Sequence, residues 1–299
     1  MATAIGTTTR APARGGASPA PGRRRSWAAT PAKWLMVALV AFFFVNLAGV
    51  ILSVVVSSFS TTWFDSWFPD GLTSHWYGDA WSGFALSRVM LVTVEVAAFV
   101  VVVSLLIGVP AAYVLARREF PGKKIVMLLF LLPVLIPPIT YGIPLATVLY
   151  KLHLAGTLSG VLLINLVPAV PFVVLTVTPF IEQIDPRLEA AARMCGAPTR
   201  AVFSRVLAPL LLPGILAAAV LILVRTVGMF ELTFLAAGPS SDTLVVALYN
   251  SVFGAGIRAQ QSVDAMAVIY TVFMVVLLVI GLRFVNPTQL VTRVKEEAR

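Results

Sequence analysis

The sequence predicts an all-α integral membrane protein with six transmembrane helices, and three observations carry that expectation. The chain is 59% hydrophobic and 12% charged, where a soluble domain averages about 25% charged residues; its mean hydropathy is +0.94. Apolar runs of about 20 residues or more recur along it, each long enough at 1.5 Å per residue to cross a hydrocarbon core of about 30 Å. Lys and Arg gather in alternate connections, which is how charge orients a helical bundle in a membrane.

Residues 1–30, rich in Ala, Pro, Gly, Thr and Arg, hold too few large apolar groups to offset the entropy of ordering, and a disordered tail is expected there. The first span runs from Trp34 to Ser57. Arg23, Arg24 and Arg25 ahead of it imitate the charged start of a secretory signal. The apolar run of roughly 23 residues is too long for an h-region of about 7–15, and no small-residue cleavage site closes it, so an uncleaved helix is expected. The loop that follows carries Trp63, Trp67, Trp76, Tyr77 and Trp81. Such amphipathic rings favour the headgroup level, with contact to an extracytoplasmic partner as the alternative. Residues 31–87 therefore group as the first span with its Trp-rich external loop, and 88–284 as a core of five spans. Residues 285–299 form a tail.

The core spans are Val89 to Ala116, Ile125 to Tyr150, Leu158 to Ile181, Leu210 to Phe230 and Ala265 to Phe284. The second of these contains LLPVLIPPITYGIP, with Pro133, Pro137, Pro138, Gly142 and Pro144. Proline removes a helix donor and clashes with the preceding turn, so a broken helix is expected. Lipid tolerates one only where protein or a water-filled cavity satisfies the freed groups. Pro168 and Pro171 repeat the theme in the next span; a helix broken at mid-membrane is what a translocation path uses, and for any one of these prolines a merely kinked bundle helix is the alternative.

Orientation follows from charge. Arg10, Arg14, Arg23 to Arg25 and Lys33 precede the first span; Arg117, Arg118, Lys123 and Lys124 follow the second; Arg187, Arg193, Arg200 and Arg205 lie after the fourth; Arg283, Arg293, Lys295 and Arg299 close the chain. The alternate connections hold only Lys151 and Arg258, and residues 58–87 none. Six spans with both termini in the cytoplasm satisfy the positive-inside rule at every connection. The net charge of +9 is thereby assigned to membrane orientation and not to nucleic acid.

There is no phosphate-binding G-x-x-x-x-G-K-[ST], no H-E-x-x-H and no Cys/His metal spacing. Cys195 is the single cysteine and is read as a small packing residue. His75 and His153 fall in external loops. No catalytic or metal site is expected, and any ATP with its Mg must be bound by another polypeptide. Ionisable groups near the spans are Glu95, Arg225, Glu231 and Asp264. Counting from Pro209 puts Arg225 about 24 Å and Glu231 about 33 Å along the helix. Glu231 and Asp264 are then interfacial, while Glu95 and Arg225 either pair with each other or face a substrate path.

The segment IDPRLEAAARMCGAPTRAVFSRVLAP, Ile184 to Pro209, is polar in an apolar chain. Asp185-Pro186 is a good helix start. Leu188, Ala191, Ala192 and Cys195 share one face at three- and four-residue spacing. Gly196-Ala197-Pro198 ends the helix, and Thr199 to Leu207 begins a second short one. A plain amphipathic surface loop is the alternative.

In this segment the sequence resembles the permease subunits of bacterial binding-protein-dependent ABC importers, whose pattern is E-A-A, three residues, G, nine residues, I-x-L-P. Gly196 and Pro209 match in register, Ala191 and Ala192 fill the alanine places, and Val206 and Ala208 stand for Ile and Leu. The glutamate place is Ala190, and Glu189 sits one residue early. The resemblance extends from Val89 to Phe284. TLSGVLLINLVPAVPFVVLTV and FLAAGPSSDTLVVALY look most like the spermidine/putrescine and ferric-iron branch.

This resemblance implies the type I importer permease fold in a bacterial cytoplasmic membrane. It also implies a coupling loop, 182–208, that meets two copies of an ATP-binding subunit. Asp185, Glu189, Ala190, Ala191, Ala192, Gly196 and Pro209 form that dock. A second permease, homologous or identical, and an extracytoplasmic solute-binding protein complete the system. The solute is small and polar: polyamine-like, another organic ion, or a sugar. Glu95, Arg225, Pro137, Pro138 and Tyr141 are the candidate path residues. Polyamine permeases of this branch carry an acidic pair where this chain has Gly228 and Met229, and Arg225 is a poor neighbour for a polycation. An ion-coupled secondary transporter is the rival reading; it calls for several intramembrane carboxylates, and Glu95 is the one good candidate.

Overall fold

A computed structural model describes residues 29–63, 68–254 and 259–284. Most of the predicted N-terminal tail, Trp67, Arg258 and residues 285–299 lie outside that range. Ala29 and Thr30, assigned to the tail from sequence, already belong to the first helix, α1, Ala29–Phe59. The chain divides into two compact units between Ile51 and Leu52. The described part of the first is the helix from Ala29 to Ile51, with exposed side chains from Lys33 onward.

The second unit begins with the last two turns of α1. Among its described residues the extended structure is one antiparallel bridge, Ser60 to Leu72, which turns the Trp-rich loop back toward α2, His75–Gly83. Trp76 donates its indole N–H to the Ser60 carbonyl at 2.7 Å, and the Tyr77 hydroxyl lies 2.8 Å from that of Ser58. Ala80 of α2 is buried with Ala265 and Met266 of the last helix, α12, Gln260–Phe284. This loop helix therefore packs on the core spans.

The centre of the unit is α3, Leu86–Arg117, against α6, Leu158–Glu182. Val96, Val100 and Ala112 on one side and Val173, Val177 and Ile181 on the other are sealed from solvent. Gly108 sets the approach, because a Cβ there would fall 2.6 Å from Val173 Cγ1. Small residues are what let helix backbones close up where no hydrophobic force drives them together.

Between these helices the chain makes α4, Lys123–Leu135, and α5, Pro138–Lys151, an apolar pair bent by 98°. The cause is local. A residue before proline is pushed to extended backbone, and Pro137-Pro138 applies this twice, leaving Ile136 at ψ 135° and Pro137 at ψ 132°. Among the described residues α1, α3, α6, the segment Thr199–Val227 and α12 are five helices long and apolar enough to cross a membrane, and the expected six is reached when the bent pair counts as one span.

Of the two readings of Pro168 and Pro171, a broken helix and an unbroken one in the bundle, the second holds. α6 runs unbroken through both and through Pro179. Pro168 and Pro171 are buried in it, so packing against α3 holds the helix where its own hydrogen bonds are missing.

α7 is Pro186–Met194 and α8 is Thr199–Val202. The second short helix expected from Thr199 is not separate. α8 continues through one π turn, Phe203–Leu207, into α9, Ala208–Val227. A π turn inserts one residue into a helix, and Pro209 follows at the start of α9, where it does not break the span.

Beyond α9 lie α10, Glu231–Ala236, and α11, Leu244–Phe253. Each is tied to a core helix by a buried polar group. Asn165 of α6 donates to Thr233 of α10 at 3.2 Å, and the Thr93 hydroxyl of α3 accepts from the Leu244 N–H at 2.9 Å.

Candidate functional site

α7 leaves the end of α6 and lies beside the end of α3. Its boundaries are set by two side-chain-independent constraints and one cap. Pro186 at the first position is pre-set for helix, and the Asp185 carboxylate accepts the Arg187 N–H at 2.9 Å. Gly196 closes it with φ +82°, the left-handed backbone that glycine adopts without steric cost. Ala197 then donates to the Ala192 carbonyl and Gly196 to that of Arg193, which satisfies two of the carbonyls a helix end leaves open.

The helix has two faces. Outward, Leu188, Ala190, Ala191, Arg193, Met194 and Cys195 are exposed, Met194 at 89%. Ala192, read from sequence as part of the same face, is half-buried. Cys195, read as a packing residue, is exposed. Sequence spacing gave no prominence to Met194.

Inward, a single acidic side chain organises the contact. Glu189 is 6% exposed. One carboxylate oxygen accepts from Arg117 Nε at 2.8 Å and the other from the Tyr113 hydroxyl at 2.7 Å. Arg193 Nη2 stands farther off, at 3.9 Å. Arg117 also donates through Nη2 to the Ile184 carbonyl at 2.7 Å, and the Tyr113 ring meets Phe203 of the π turn edge-on at 6.1 Å. The ends of α3 and α6, the helix α7 and the π turn all meet around one carboxylate.

Successive helical residues are turned by about 100°, so the one-residue displacement of the glutamate changes its face. Ala190, in the place the family pattern gives to glutamate, is exposed. Glu189 is directed into its own chain. Pro209 stands in α9, outside α7. Arg117 and Tyr113 carry the inner contact; from sequence Arg117 counts only as one of the orienting charges, and Tyr113 is not singled out. The available signal was that they sit four apart in the last turns of a span, hence on one face.

The other candidate residues do not form one cluster. Arg225 lies over the Phe172 ring, 5.2 Å from its centre, and the ion pairs of the described residues do not include Arg225 with Glu95. The ring face offers the guanidinium a partner within its own bundle. Tyr141 is an electrostatic neighbour of Arg225 and Glu231, and its buried hydroxyl makes no hydrogen bond. Pro137 and Pro138 make the bend that precedes it. Glu95 stands apart on the exposed face of α3, among Leu91, Val94, Phe99 and Val102. Asp264, read as interfacial, accepts from Ser57 and Gln260.

Fold and site together define an all-α, multi-pass membrane protein whose span-to-span connection is built as a short, exposed, rigidly held helix. The chain belongs to the family described as the binding-protein-dependent transport system inner membrane component, whose sequence profile matches residues 104–288. It is 30% identical over 174 residues to the trehalose transport system permease protein SugB of Mycobacterium tuberculosis, covering 58% of this chain and 64% of that protein. It is 29% identical to the diacetylchitobiose uptake system permease protein NgcG of Streptomyces coelicolor, covering 61% and 62%. This chain thus spans less than two thirds of the length of either relative. It is 26% identical to the spermidine/putrescine transport system permease protein PotC of Escherichia coli K12, covering 87% and 93%. Among solved structures, a chain of a bacterial ABC transporter involved in the import of the acidic polysaccharide alginate matches with a TM-score of 0.68 and 17% identity, over 88% of this chain and 98% of that one. The fold is that of type I ABC importer permeases.

Proposed function

We propose that this chain is the permease subunit of an ATP-driven import system in a bacterial cytoplasmic membrane, with both termini in the cytoplasm, and that α7 is its dock for an ATP-binding subunit. The observation that carries the reading is the outward face of α7. Leu188, Ala191, Met194 and Cys195 form an apolar stripe on an otherwise polar connection. Exposed methionine beside small residues suits a partner groove. Arg187 and Arg193 flank it for acidic residues of the partner. The dock is held by shape, because Glu189 is occupied within the chain.

The chain binds no cofactor and catalyses no reaction in this reading; ATP and Mg are held by two copies of the partner subunit. A second permease, identical or homologous, completes the path, and an extracytoplasmic solute-binding protein delivers the solute. Glu95 supports a polar path, since a carboxylate among exposed apolar side chains of a span costs about 2.5–3.5 kcal/mol in lipid and is relieved by a water-filled cavity. The named solutes of the relatives are a disaccharide, an amino-sugar dimer and polyamines, so the class proposed is a small polar solute.

The test is co-purification of an ATP-binding subunit with this chain after gentle extraction, repeated with Gly196→Asp. The φ of +82° makes that substitution distort the end of α7 while leaving the spans untouched. The expected result is normal membrane insertion with loss of the partner subunit and of ATP-dependent uptake. Retention of both by the variant would overturn the docking role, and uptake with no ATPase partner would favour an ion-coupled transporter.

A further inference from the structure

We propose that Arg117 and Tyr113 are positioning residues for the ATP-driven cycle. They bind Glu189 from α3 and so make α7, the ends of α3 and α6 and the π turn ahead of α9 one rigid block. The inference rests on the reading of α7 as a dock and adds how movement leaves it.

A helix of nine residues, Pro186–Met194, that is pushed by a partner passes its motion on only if it cannot swing about its own connections. α7 has two such connections. On one side Gln183-Ile184-Asp185 joins it to α6; on the other Cys195 to Pro198 joins it to α8. Neither is helical, so neither alone resists rotation of α7 about its ends. The resistance comes from the inner face. Glu189 is bound by two groups from α3, and each of those groups also grips a further element. Arg117 holds the Ile184 carbonyl at the end of α6, and the Tyr113 ring holds Phe203.

The geometry suits a strap. The guanidinium is planar and presents its N–H groups in a fixed fork, which here divides between a carboxylate on α7 and a carbonyl beyond α6. The side chains are buried, with 11% of Arg117 and 8% of Glu189 exposed, so solvent does not screen the pair as it does a surface one. Tyr113 satisfies the second carboxylate oxygen. A push on the outer face of α7 therefore reaches three spans through one buried cluster, without being absorbed in the flanking turns. The displacement of the glutamate from position 190 to 189 fits this role: it moves the acid from the partner side of the helix to the strap.

The experiment uses the complex of this chain with its ATP-binding subunit and needs no knowledge of the solute. Cys195→Ser removes the native thiol from the docking stripe, and one spin label goes on Arg187→Cys, exposed in the first turn of α7 and outside that stripe. The second goes on Glu119→Cys, beyond α3, where the native side chain is 89% exposed. The distance between labels is measured without nucleotide and with a non-hydrolysable ATP analogue. The expected wild-type result is one narrow distance that is the same in both states. Arg117→Gln combined with Tyr113→Phe, with the ATP-binding subunit still co-purifying, should broaden the distribution and make it shift when nucleotide binds. The charge swap Arg117→Glu with Glu189→Arg restores the ion pair between α3 and α7 but offers no donor to the Ile184 carbonyl, so it should narrow the distribution only in part.

A merely structural role in folding would broaden the distance equally in both states, and that outcome overturns the proposal. So does a wild-type distance that itself changes with nucleotide, or a double variant that keeps the narrow distance throughout. Loss of the ATP-binding subunit from the wild-type chain overturns the docking reading itself and is seen before any label is added.

Discussion

Arg117 and Glu189 are 72 residues apart in the chain and meet through a hydrogen bond of 2.8 Å. The first closes α3 and the second lies in the middle of α7. Among the described residues neither side chain has another close ionic partner, since Arg193 approaches Glu189 only to 3.9 Å. The pair is therefore a specific bond between a membrane span and the connection beside it.

The buried pair makes the effect of single and paired substitutions unequal. Glu189→Ala leaves the Arg117 guanidinium in a largely buried place without its counter-charge, and breaking such a pair costs about 3–5 kcal/mol. Replacing both with apolar residues of similar size, Arg117→Met with Glu189→Leu, removes both desolvation costs along with the attraction. The expected order of thermal midpoints in detergent is wild type first, the double variant next, short of wild type by the Tyr113 and Ile184 hydrogen bonds it leaves unmade, and Glu189→Ala lowest. A midpoint for the double variant equal to the sum of the two single losses would show that the residues act independently.

The contact of α3 with α6 gives a second expectation. At Gly108 a Cβ would lie 2.6 Å from Val173 Cγ1 and 2.8 Å from Val173 Cβ, closer than packed atoms approach. Gly108→Ala should destabilise the bundle by about 1–3 kcal/mol through overpacking. Val173→Ala in the same chain removes the Cγ1 clash but keeps the Cβ at 2.8 Å, so it should recover only part of the loss, and alone it leaves a cavity. Thermal or denaturant unfolding of the four proteins of this cycle measures the coupling.

How much of this was legible in the sequence depends on whether the cause is local. The limits of α7 follow from Asp185-Pro186 and Gly196, and the bend between α4 and α5 from Pro137-Pro138, because each acts on neighbouring backbone. Pro168 and Pro171 have the same local preference, yet α6 stays whole because α3 packs against it, which no property of α6 alone reveals. The inner face of α7 was hidden for the same reason. Helical period says that Glu189 and Ala190 point about 100° apart, but which direction is covered depends on Tyr113 and Arg117, more than 70 residues away. As one of the charges that orient the loops, Arg117 fills a role that any position in the loop would fill, so nothing local in the sequence reveals its pairing with Glu189. Likewise Arg225 was offered Glu95 by charge alone, whereas the fold gave it the ring of Phe172.

A pH dependence is expected at the connection between α10 and α11. Burial raises the Asp242 carboxyl above the ordinary carboxylate range, and the nearby Arg88 charge only partly opposes this. The folded protein therefore holds this proton more tightly than the unfolded chain does. Its favourable contribution is full below the ordinary aspartate pKa and is lost as pH rises through the raised folded value. At neutral pH the ionised carboxylate is a net cost to the fold. Asp242→Asn should raise the thermal midpoint at pH 7 and leave it nearly unchanged at low pH. A midpoint lowered by the substitution at pH 7 would mean that attraction to Arg88 outweighs burial.

Cys195 reports both the side and the occupancy of the dock. It is the chain's single cysteine and is exposed at the end of α7, so a thiol reagent modifies one place only. In the proposed orientation α7 lies in the cytoplasm, and a membrane-impermeant maleimide should label Cys195 in inside-out vesicles and leave it untouched in intact, right-side-out spheroplasts. When the ATP-binding subunit is present, the stripe of Leu188, Ala191, Met194 and Cys195 is covered, and labelling in inside-out vesicles should slow by at least about tenfold, the factor that 1.4 kcal/mol of protection gives. Gly196→Asp, which disturbs the helix end, should restore fast labelling in the presence of the partner. Labelling from the outer side would reverse the orientation. Fast labelling in a complex that still contains the ATP-binding subunit would move the dock away from the end of α7.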